Sequence, residues 1–201
     1  MLEYPSIPGV SKCLGLGKPC LAFYKYDGSN IRFEWSRKRS WHKFGTRTQL
    51  IDTTTDIFSD AIVLFKEHMA DEIESIVRKE FGKGIRKIVA FAEFFGPSSF
   101  AGTHSQNEPK ELKFFDVAVE DKGLISARQF LNLFALKPWS AQLVYSGNLN
   151  QQFITAVRDG QYPLNEGVVC KGKGWSAKIK TLAYLERLKA RFADDWVKYA
   201  E

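Results

Sequence analysis

Apolar residues recur at three- and four-residue steps in two long segments of the chain, as in amphipathic helices. The first segment, residues 56–81, follows a Thr/Asp cluster and ends near Gly82. The second begins at Leu182 and continues to the C-terminal region. Its apolar positions, predicted to line one face, are Leu182, Leu185, Leu188, Phe192 and Trp196. Shorter helices are predicted at residues 126–134 and 150–158.

Short apolar, β-rich runs between these segments predict strands. Residues 20–24 predict a buried strand, and Asp27-Gly28 predicts a tight turn into a return strand at 31–35. Inner strands are predicted at 88–95 and 112–119, and a further strand at 142–145. A last pair, 168–171 and 177–179, is joined by Gly172-Lys173-Gly174. The fold class is therefore α+β, with mostly antiparallel sheets and flanking helices.

Composition narrows the class of partner. The chain has 201 residues, 44% of them hydrophobic, which favours one substantial core. A net charge of +6 favours a polyanionic partner, either nucleic acid or an acidic membrane surface. No apolar run approaches the roughly 20 residues of a membrane span. Three cysteines without close pairing are interpreted as reduced thiols of a cytosolic protein, and the scattered histidines do not predict a metal site.

One lysine stands at the end of a predicted strand, in the motif Lys25-Tyr26-Asp27-Gly28. A lysine amine at such a position can act as a nucleophile, although the same motif also occurs in inert surface hairpins. Five further motifs follow in order, each at a strand end or turn. They are Thr46-Arg47-Thr48, Ala92-Glu93-Phe94-Phe95-Gly96-Pro97, Phe114-Phe115-Asp116-Val117, Glu166-Gly167-Val168-Val169-Cys170-Lys171 and Ala177-Lys178-Ile179-Lys180.

Together the six motifs resemble those of the covalent nucleotidyltransferases, and most closely the ATP-dependent RNA ligase 2-like family. The resemblance implies a nucleotidyltransferase (ATP-grasp-like ligase catalytic) domain. It implies that Lys25 attacks the α-phosphorus of ATP and carries AMP as a lysyl-AMP intermediate. A free lysine amine, with a pKa of ~10.4, is almost wholly protonated at neutral pH. Lys178 and Lys180, two apart on one strand, are expected to lower that pKa and to hold α-phosphate oxygens.

The remaining site residues are assigned with this resemblance in view. Glu166 helps to bind a divalent cation, Mg²⁺ or Mn²⁺, while Asp27 either orders a metal-bound water or caps the turn. Phe115 and Val169 cover the two faces of adenine, and Phe114 points into the core. Glu93 accepts hydrogen bonds from the ribose hydroxyls. Arg47 reaches the ribose or the phosphate of the accepting strand, although Arg37 and Arg39 lie on the same basic segment.

The basic segment, residues 36–43, combines four cations with Trp41, which looks exposed and able to stack on bases. Its cations, Arg37, Lys38, Arg39 and Lys43, are candidates for contacts with nucleic-acid phosphates, or else a solvated charge run without specific function.

These features predict a ligase that joins 5′-phosphate and 3′-hydroxyl ends of RNA or of a nicked duplex. The alternatives are a small ATP-dependent DNA ligase and a non-catalytic nucleotide- or nucleic-acid-binding module. We expect one nucleotidyltransferase domain over residues 1–201 without an accessory C-terminal domain, either as a minimal ligase or as the catalytic domain of a longer protein. We also expect a monomer without membrane partners that acts in the cytoplasm, or in a host cytoplasm if it is phage-encoded.

Overall fold

The fold is known from a computed structural model that describes residues 1–53, 58–97, 105 and 107–197. Two compact units are formed: residues Met1–Tyr4 with Gly28–Ser140, here called the N-terminal unit, and Pro5–Asp27 with the chain from Ala141 onward, the C-terminal unit. The strands form two antiparallel sheets, and helices pack against them. The predicted α+β class is therefore confirmed.

The strands of the described chain are β1 (Pro19–Lys25), β2 (Ser29–Ser36), β3 (Ser40–Gly45), β4 (Leu50–Ile51), β5 (Lys87–Phe95), β6 (Glu111–Val119), β7 (Gly123–Leu124), β8 (Leu143–Asn148), β9 (Gly167–Gly172) and β10 (Trp175–Lys180). The helices are α1 (Ser59–His68), α2 (Ala70–Phe81), α3 (Ala127–Phe134), α4 (Gln151–Arg158) and α5 (Leu182–Phe192). Among these helices none is both long and apolar enough to cross a membrane.

The C-terminal unit contains a four-stranded sheet in the order β10-β9-β1-β8. One face of this sheet packs against α4 through a core that includes Cys20, Ala22, Cys170, Ile179 and Phe153. Because side chains alternate along a strand, the residues between these positions point to the opposite face. That opposite face carries the lysines of the candidate site.

A six-stranded sheet, in the order β4-β3-β2-β5-β6-β7, forms the centre of the N-terminal unit. Helices cover one face of it. The Phe33 ring stacks on Phe65 of α1 at 3.9 Å, and Phe114 is fully buried against Phe130 and Phe134 of α3. The interior position predicted for Phe114 is thus confirmed.

The two long helical predictions need correction. The segment 56–81 forms two helices, because Met69 leaves the helical region (φ −133°, ψ −35°) between α1 and α2; residues 56 and 57 lie outside the described part. Helix α5 ends at Phe192, since Ala193 adopts a positive φ of 44°. Its buried positions are Tyr184 and Leu188, whereas Leu182 is 48% exposed, so the predicted apolar face is shifted.

Phe114 provides a test of the packing in the N-terminal unit. We expect Phe114→Ala to lower the free energy of unfolding by about 3–5 kcal/mol, because a buried aromatic ring is replaced by a cavity. Phe115→Ala, at the neighbouring half-buried position, should cost less than half as much. Urea denaturation of both variants measures the difference, and equal losses would contradict the assigned orientations.

Candidate active site

Three lysines share the face of the C-terminal sheet that points away from α4. Lys25 lies opposite Gly167 of β9, which in turn lies opposite Lys180 of β10. One step along the same face, Phe23 lies opposite Val169, and Val169 lies opposite Lys178. Residues from three motifs that are far apart in the sequence therefore lie side by side on adjacent antiparallel strands. This proximity is what the predicted effect of Lys178 and Lys180 on Lys25 needs.

Glu166 joins two of these lysines. Its Oε2 accepts a hydrogen bond from Lys25 Nζ at 2.7 Å, and its Oε1 lies 3.2 Å from Lys180 Nζ. The Glu166 side chain is only 3% exposed, against 23% for Lys25 and 8% for Lys180. One buried carboxylate therefore balances two ammonium groups. The main-chain oxygen of Glu166 also accepts a hydrogen bond from Thr181 N at 2.9 Å.

Electrostatic effects on Lys180 oppose one another. Burial lowers the pKa of this lysine, the Glu166 carboxylate raises it, and the nearby Lys25 ammonium lowers it again. The net direction is downward. The interaction between the two lysines is the one that the sequence analysis invoked for activating Lys25. Lys178 is held through its backbone, whose N–H donates to Pro8 O at 2.9 Å.

Tyr184 is a site residue that the sequence analysis missed. Its hydroxyl donates to Asp27 Oδ1 at 2.8 Å, and the Lys180 ammonium lies 5.0 Å from its ring centroid. Burial, followed by the charges of Glu166 and Asp27, raises the pKa of the Tyr184 phenol, so it remains a hydrogen-bond donor. The available signal was its place in the first turn of the helix after Lys180, capped by Thr181.

The carboxylates of Asp27 and Glu166 both act on Lys180 and Tyr184, so they lie around the same two side chains. No group of three or more potential metal-ligating side chains occurs within the described residues. Mg²⁺ needs only one or two carboxylates when phosphate oxygens and waters complete its shell. The carboxylates of Asp27 and Glu166 are of the chemical type that such an ion prefers.

In the N-terminal unit, one end of the six-stranded sheet gathers another part of the predicted site. Glu93 lies opposite Asn30, and the turn that carries Arg47 follows Gly45, which pairs with Arg32. Phe115 is the extra residue of a β-bulge, because Asp116 pairs with Phe91 while Phe114 pairs with Ala92. The bulge places Phe115 on the same face of the sheet as Asp116, where both contact Tyr4, and opposite the helix-packed Phe114. We call this the nucleotide end of the sheet.

Tyr4 is a second residue that sequence reasoning missed, because it lies in a segment without regular structure. Its hydroxyl donates to Asp116 Oδ2 at 2.8 Å, and its ring meets that of Phe115 edge-on, with 4.9 Å between centroids. Burial raises the pKa of this phenol, and the charges of Asp116 and Glu93 raise it further. Nearby, the buried side-chain oxygen of Asn30 has no hydrogen-bond partner among the residues that the structure describes.

The basic segment occupies the other end of the same sheet. Arg37, Lys38 and Arg39 form the exposed β2–β3 turn, next to the Ser36–Lys87 pair, and Lys43 is half-buried within β3. The structure therefore does not bring Arg37, Lys38 and Arg39 to Glu93 and Arg47. Trp41 is 8% exposed and donates its indole N–H to Ala70 O, so the predicted base-stacking role is wrong.

Comparison with solved structures finds the same architecture. The chain shares the fold of RNA ligases. A Naegleria gruberi RNA ligase with pyrophosphate superposes with a TM-score of 0.68 and 20% identity over 94% of this chain. An apo mutant of that ligase gives 0.68 at 19% identity, and a mutant with ATP and Mn gives 0.66 at 17% over 92% of this chain.

The chain spans 58–59% of the length of these RNA ligase structures. No protein-family model matches the sequence, and no curated protein matches it. At this level of identity, the comparison establishes the fold and leaves the chemistry to the residues of the site.

Substitution of Gly167, the residue of β9 that pairs with Lys25, tests whether the close approach of β9 to β10 requires a glycine. Gly167 has φ +154°, and a Cβ there would lie 2.0 Å from Ile179 O. We expect Gly167→Ala to lower the free energy of unfolding by at least ~2 kcal/mol through strain and backbone displacement. The control is Gly174→Ala, which has φ +76° but nothing within 4 Å. Equal losses in urea denaturation would contradict the proposed steric constraint.

Glu166→Gln tests the shared carboxylate. Loss of the buried partner should lower the unfolding free energy at pH 7 by about 3 kcal/mol. Without the carboxylate that raises it, the pKa of Lys180, already lowered by burial, falls further below its value in the unfolded chain. The folded protein then binds fewer protons than the unfolded chain and gains stability as the pH rises. The deficit relative to wild type should narrow between pH 7 and 10.

The control for this experiment is Glu186→Gln, which removes an exposed partner of Lys189. Its cost should stay below about 1 kcal/mol. A pH-independent deficit in the Glu166→Gln variant would show that the carboxylate does not balance the two lysines.

Proposed function

We propose that the chain is an ATP-dependent RNA ligase that works through a lysyl-AMP intermediate on Lys25. The observation that carries this proposal is the arrangement of Lys25, Glu166 and Lys180, in which a nucleophilic amine and a second cation share one buried carboxylate. The fold supports the same class, because the matching structures are RNA ligases. A binding protein would not require a nucleophile at this position.

In the first step, the neutral amine of Lys25 attacks the α-phosphorus of ATP. The nitrogen–phosphorus bond forms, the bond to the bridging oxygen breaks, and pyrophosphate leaves with that electron pair. As the new bond forms, the nitrogen passes a proton to Glu166 Oε2, which lies 2.7 Å from Nζ. Lys180 and Lys178, on the same sheet face, supply positive charge for the α-phosphate oxygens.

Glu166 and Asp27 would hold a divalent cation, Mg²⁺ or Mn²⁺, which supplies positive charge to the phosphates of the nucleotide. Phe115 and Val169 are proposed to contact the two faces of adenine. Glu93 would accept from the ribose hydroxyls. The buried Oδ1 of Asn30 accepts no hydrogen bond from the described residues. This observation supports a hydroxyl-bearing ligand at this end, because leaving a buried acceptor without a donor costs free energy.

The AMP group then passes to a 5′-phosphate, and attack by a 3′-hydroxyl forms the new phosphodiester bond and releases AMP. Arg47 is proposed to contact the nucleotide or the phosphate of the accepting strand. Arg37, Lys38, Arg39 and Lys43 are proposed to contact nucleic-acid phosphates. We propose that the chain acts as a monomer in the cytoplasm, in the repair of RNA.

Covalent labelling tests the mechanism. Wild-type protein incubated with α-labelled ATP and Mg²⁺ should retain label after denaturation, and Lys25→Ala should retain none because the nucleophile is missing. Lys171→Ala is the matched control, since this lysine also points away from α4 and lies 5.5 Å from the Phe23 ring centroid. Label on the Lys25→Ala variant would overturn the mechanism.

Sealing assays identify the substrate. Nicked duplexes with RNA or DNA on each side of the break should be joined fastest where the strands that meet at the break are RNA. Preferential joining of all-DNA nicks would identify a small DNA ligase, and uptake of label from GTP alone would exclude an ATP-dependent enzyme. Nucleotide binding without any covalent label would indicate a non-catalytic module.

A further inference from the structure

Exposed cations from three chain segments gather at the end of the six-stranded sheet that lies away from Glu93. They come from the β2–β3 turn, from the last turn of α2 and the connection into β5, and from the β6–β7 turn. We call them the distal basic surface; its members are Arg37, Lys38, Arg39, Lys79, Lys83, Arg86, Lys87 and Lys122.

Hydrogen bonds show that these segments meet. The backbone N–H of Arg37 donates to Arg86 O at 3.2 Å, and the Arg37 guanidinium donates to Lys83 O. On the other side, Glu120 N donates to Lys87 O at 3.1 Å. The three segments therefore form one continuous surface on a single unit.

The charge at this surface is strongly unbalanced. Eight exposed cations stand with three carboxylates from the same segments, those of Glu80, Glu120 and Asp121. Arg86 pairs with Glu120 at 3.0 Å and lies 3.7 Å from Asp121. Because the whole chain carries a net charge of only +6, most of its excess positive charge lies here. Such a concentration attracts polyanions and releases their counterions on contact.

The aromatic residues at this end are not placed to stack on bases. Trp35 and Trp41 are buried, and Lys122 lies over the Phe81 ring at 5.9 Å. Single-stranded nucleic acid is usually gripped by cations together with stacking aromatics. Cations without such aromatics favour contacts to the phosphates of a duplex.

The sheet fixes the distance from this surface to the nucleotide end. Lys87 and Glu93 both lie on β5, six residue steps apart, which corresponds to about 20 Å at ~3.3 Å per residue. A B-form duplex advances ~3.4 Å per base pair and an A-form RNA duplex somewhat less, so about six base pairs or slightly more span the same length. A duplex arm is stiff on this scale and can hold its phosphates at that separation.

We propose that the distal basic surface binds the sugar–phosphate backbone of one duplex arm, about six base pairs from the break that the ligase seals. This inference rests on the proposed function, because the position of the break is taken from the nucleotide end of the same unit. It assigns a contribution to binding to the part of one duplex arm that lies well away from the break.

Binding to nicked duplexes of different arm length tests the proposal. The variant carries Lys79→Gln, Lys83→Gln and Lys87→Gln, which leaves the hydrogen bonds of Arg37 and the ion pairs of Arg86 intact. On substrates with two 12-base-pair arms, the slope of log affinity against log salt should fall by about two to three, and affinity at low salt by at least ~10-fold.

With 4-base-pair arms closed by phosphate-free linkers, the variant and the wild type should bind equally. Shortening each arm in turn identifies which arm reaches the surface. A matched control carries Lys18→Gln, Arg128→Gln and Arg158→Gln, three exposed positions elsewhere with the same change in net charge. This control should keep wild-type affinity on both substrates.

Three results would overturn the proposal: equal loss on short and long arms, equal loss in the control, or unchanged binding of long arms. Loss of binding to anionic phospholipid vesicles with duplex binding unchanged would also overturn it and point to a membrane surface. Measurement of self-adenylylation distinguishes failure of the distal-surface proposal from failure of the proposed ligase function. The triple variant should label like wild type, whereas absence of label in the wild type itself would contradict the ligase assignment.

Discussion

The buried carboxylate of Glu166 is the constraint on which the candidate site depends. It balances the ammonium groups of Lys25 and Lys180, which come from chain segments 155 residues apart, as their sequence numbers show. Without it, two like charges would lie side by side in a partly buried position. The main chain holds Glu166 through Thr181, and Gly167 lets β9 and β10 approach closely. The same carboxylate therefore stabilises the fold and keeps Lys25 near Lys180.

A second layer of contacts fixes the groups around this pair. Tyr184 connects Asp27 to Lys180, since its hydroxyl bonds the carboxylate and its ring lies beneath the ammonium. In the N-terminal unit, Tyr4 does the equivalent for Asp116 and Phe115. In both cases a buried phenol, its pKa raised by burial, remains a donor to a carboxylate. Such pre-set hydrogen bonds allow charged groups to be partly buried without leaving their polar atoms unmet.

Much of this arrangement could be predicted from local patterns. Strand alternation predicted that Lys178 and Lys180 share a face and that Phe114 and Phe115 diverge, and the turn at Asp27-Gly28 ended the first strand. Tyr4 and Tyr184 could not be found in this way, because their importance arises from contacts across 112 and 157 residues. The burial of Trp41 and the break at Met69 depend on packing between distant elements, which periodicity does not encode. That Arg37 and Arg47 lie at opposite ends of the sheet could be known only from the pairing register of β2, β3 and β5.

The central claim is that Lys25 is the residue that becomes covalently modified. It is tested most directly by peptide mass spectrometry of the wild-type protein after incubation with ATP and Mg²⁺, with digestion and mapping at neutral or mildly alkaline pH because phosphoramidates are acid-labile. The account predicts one AMP group, attached to the peptide that contains Lys25. AMP on Lys178, on Lys180 or on another residue, or no adenylylated peptide under conditions in which the protein binds ATP, would contradict it.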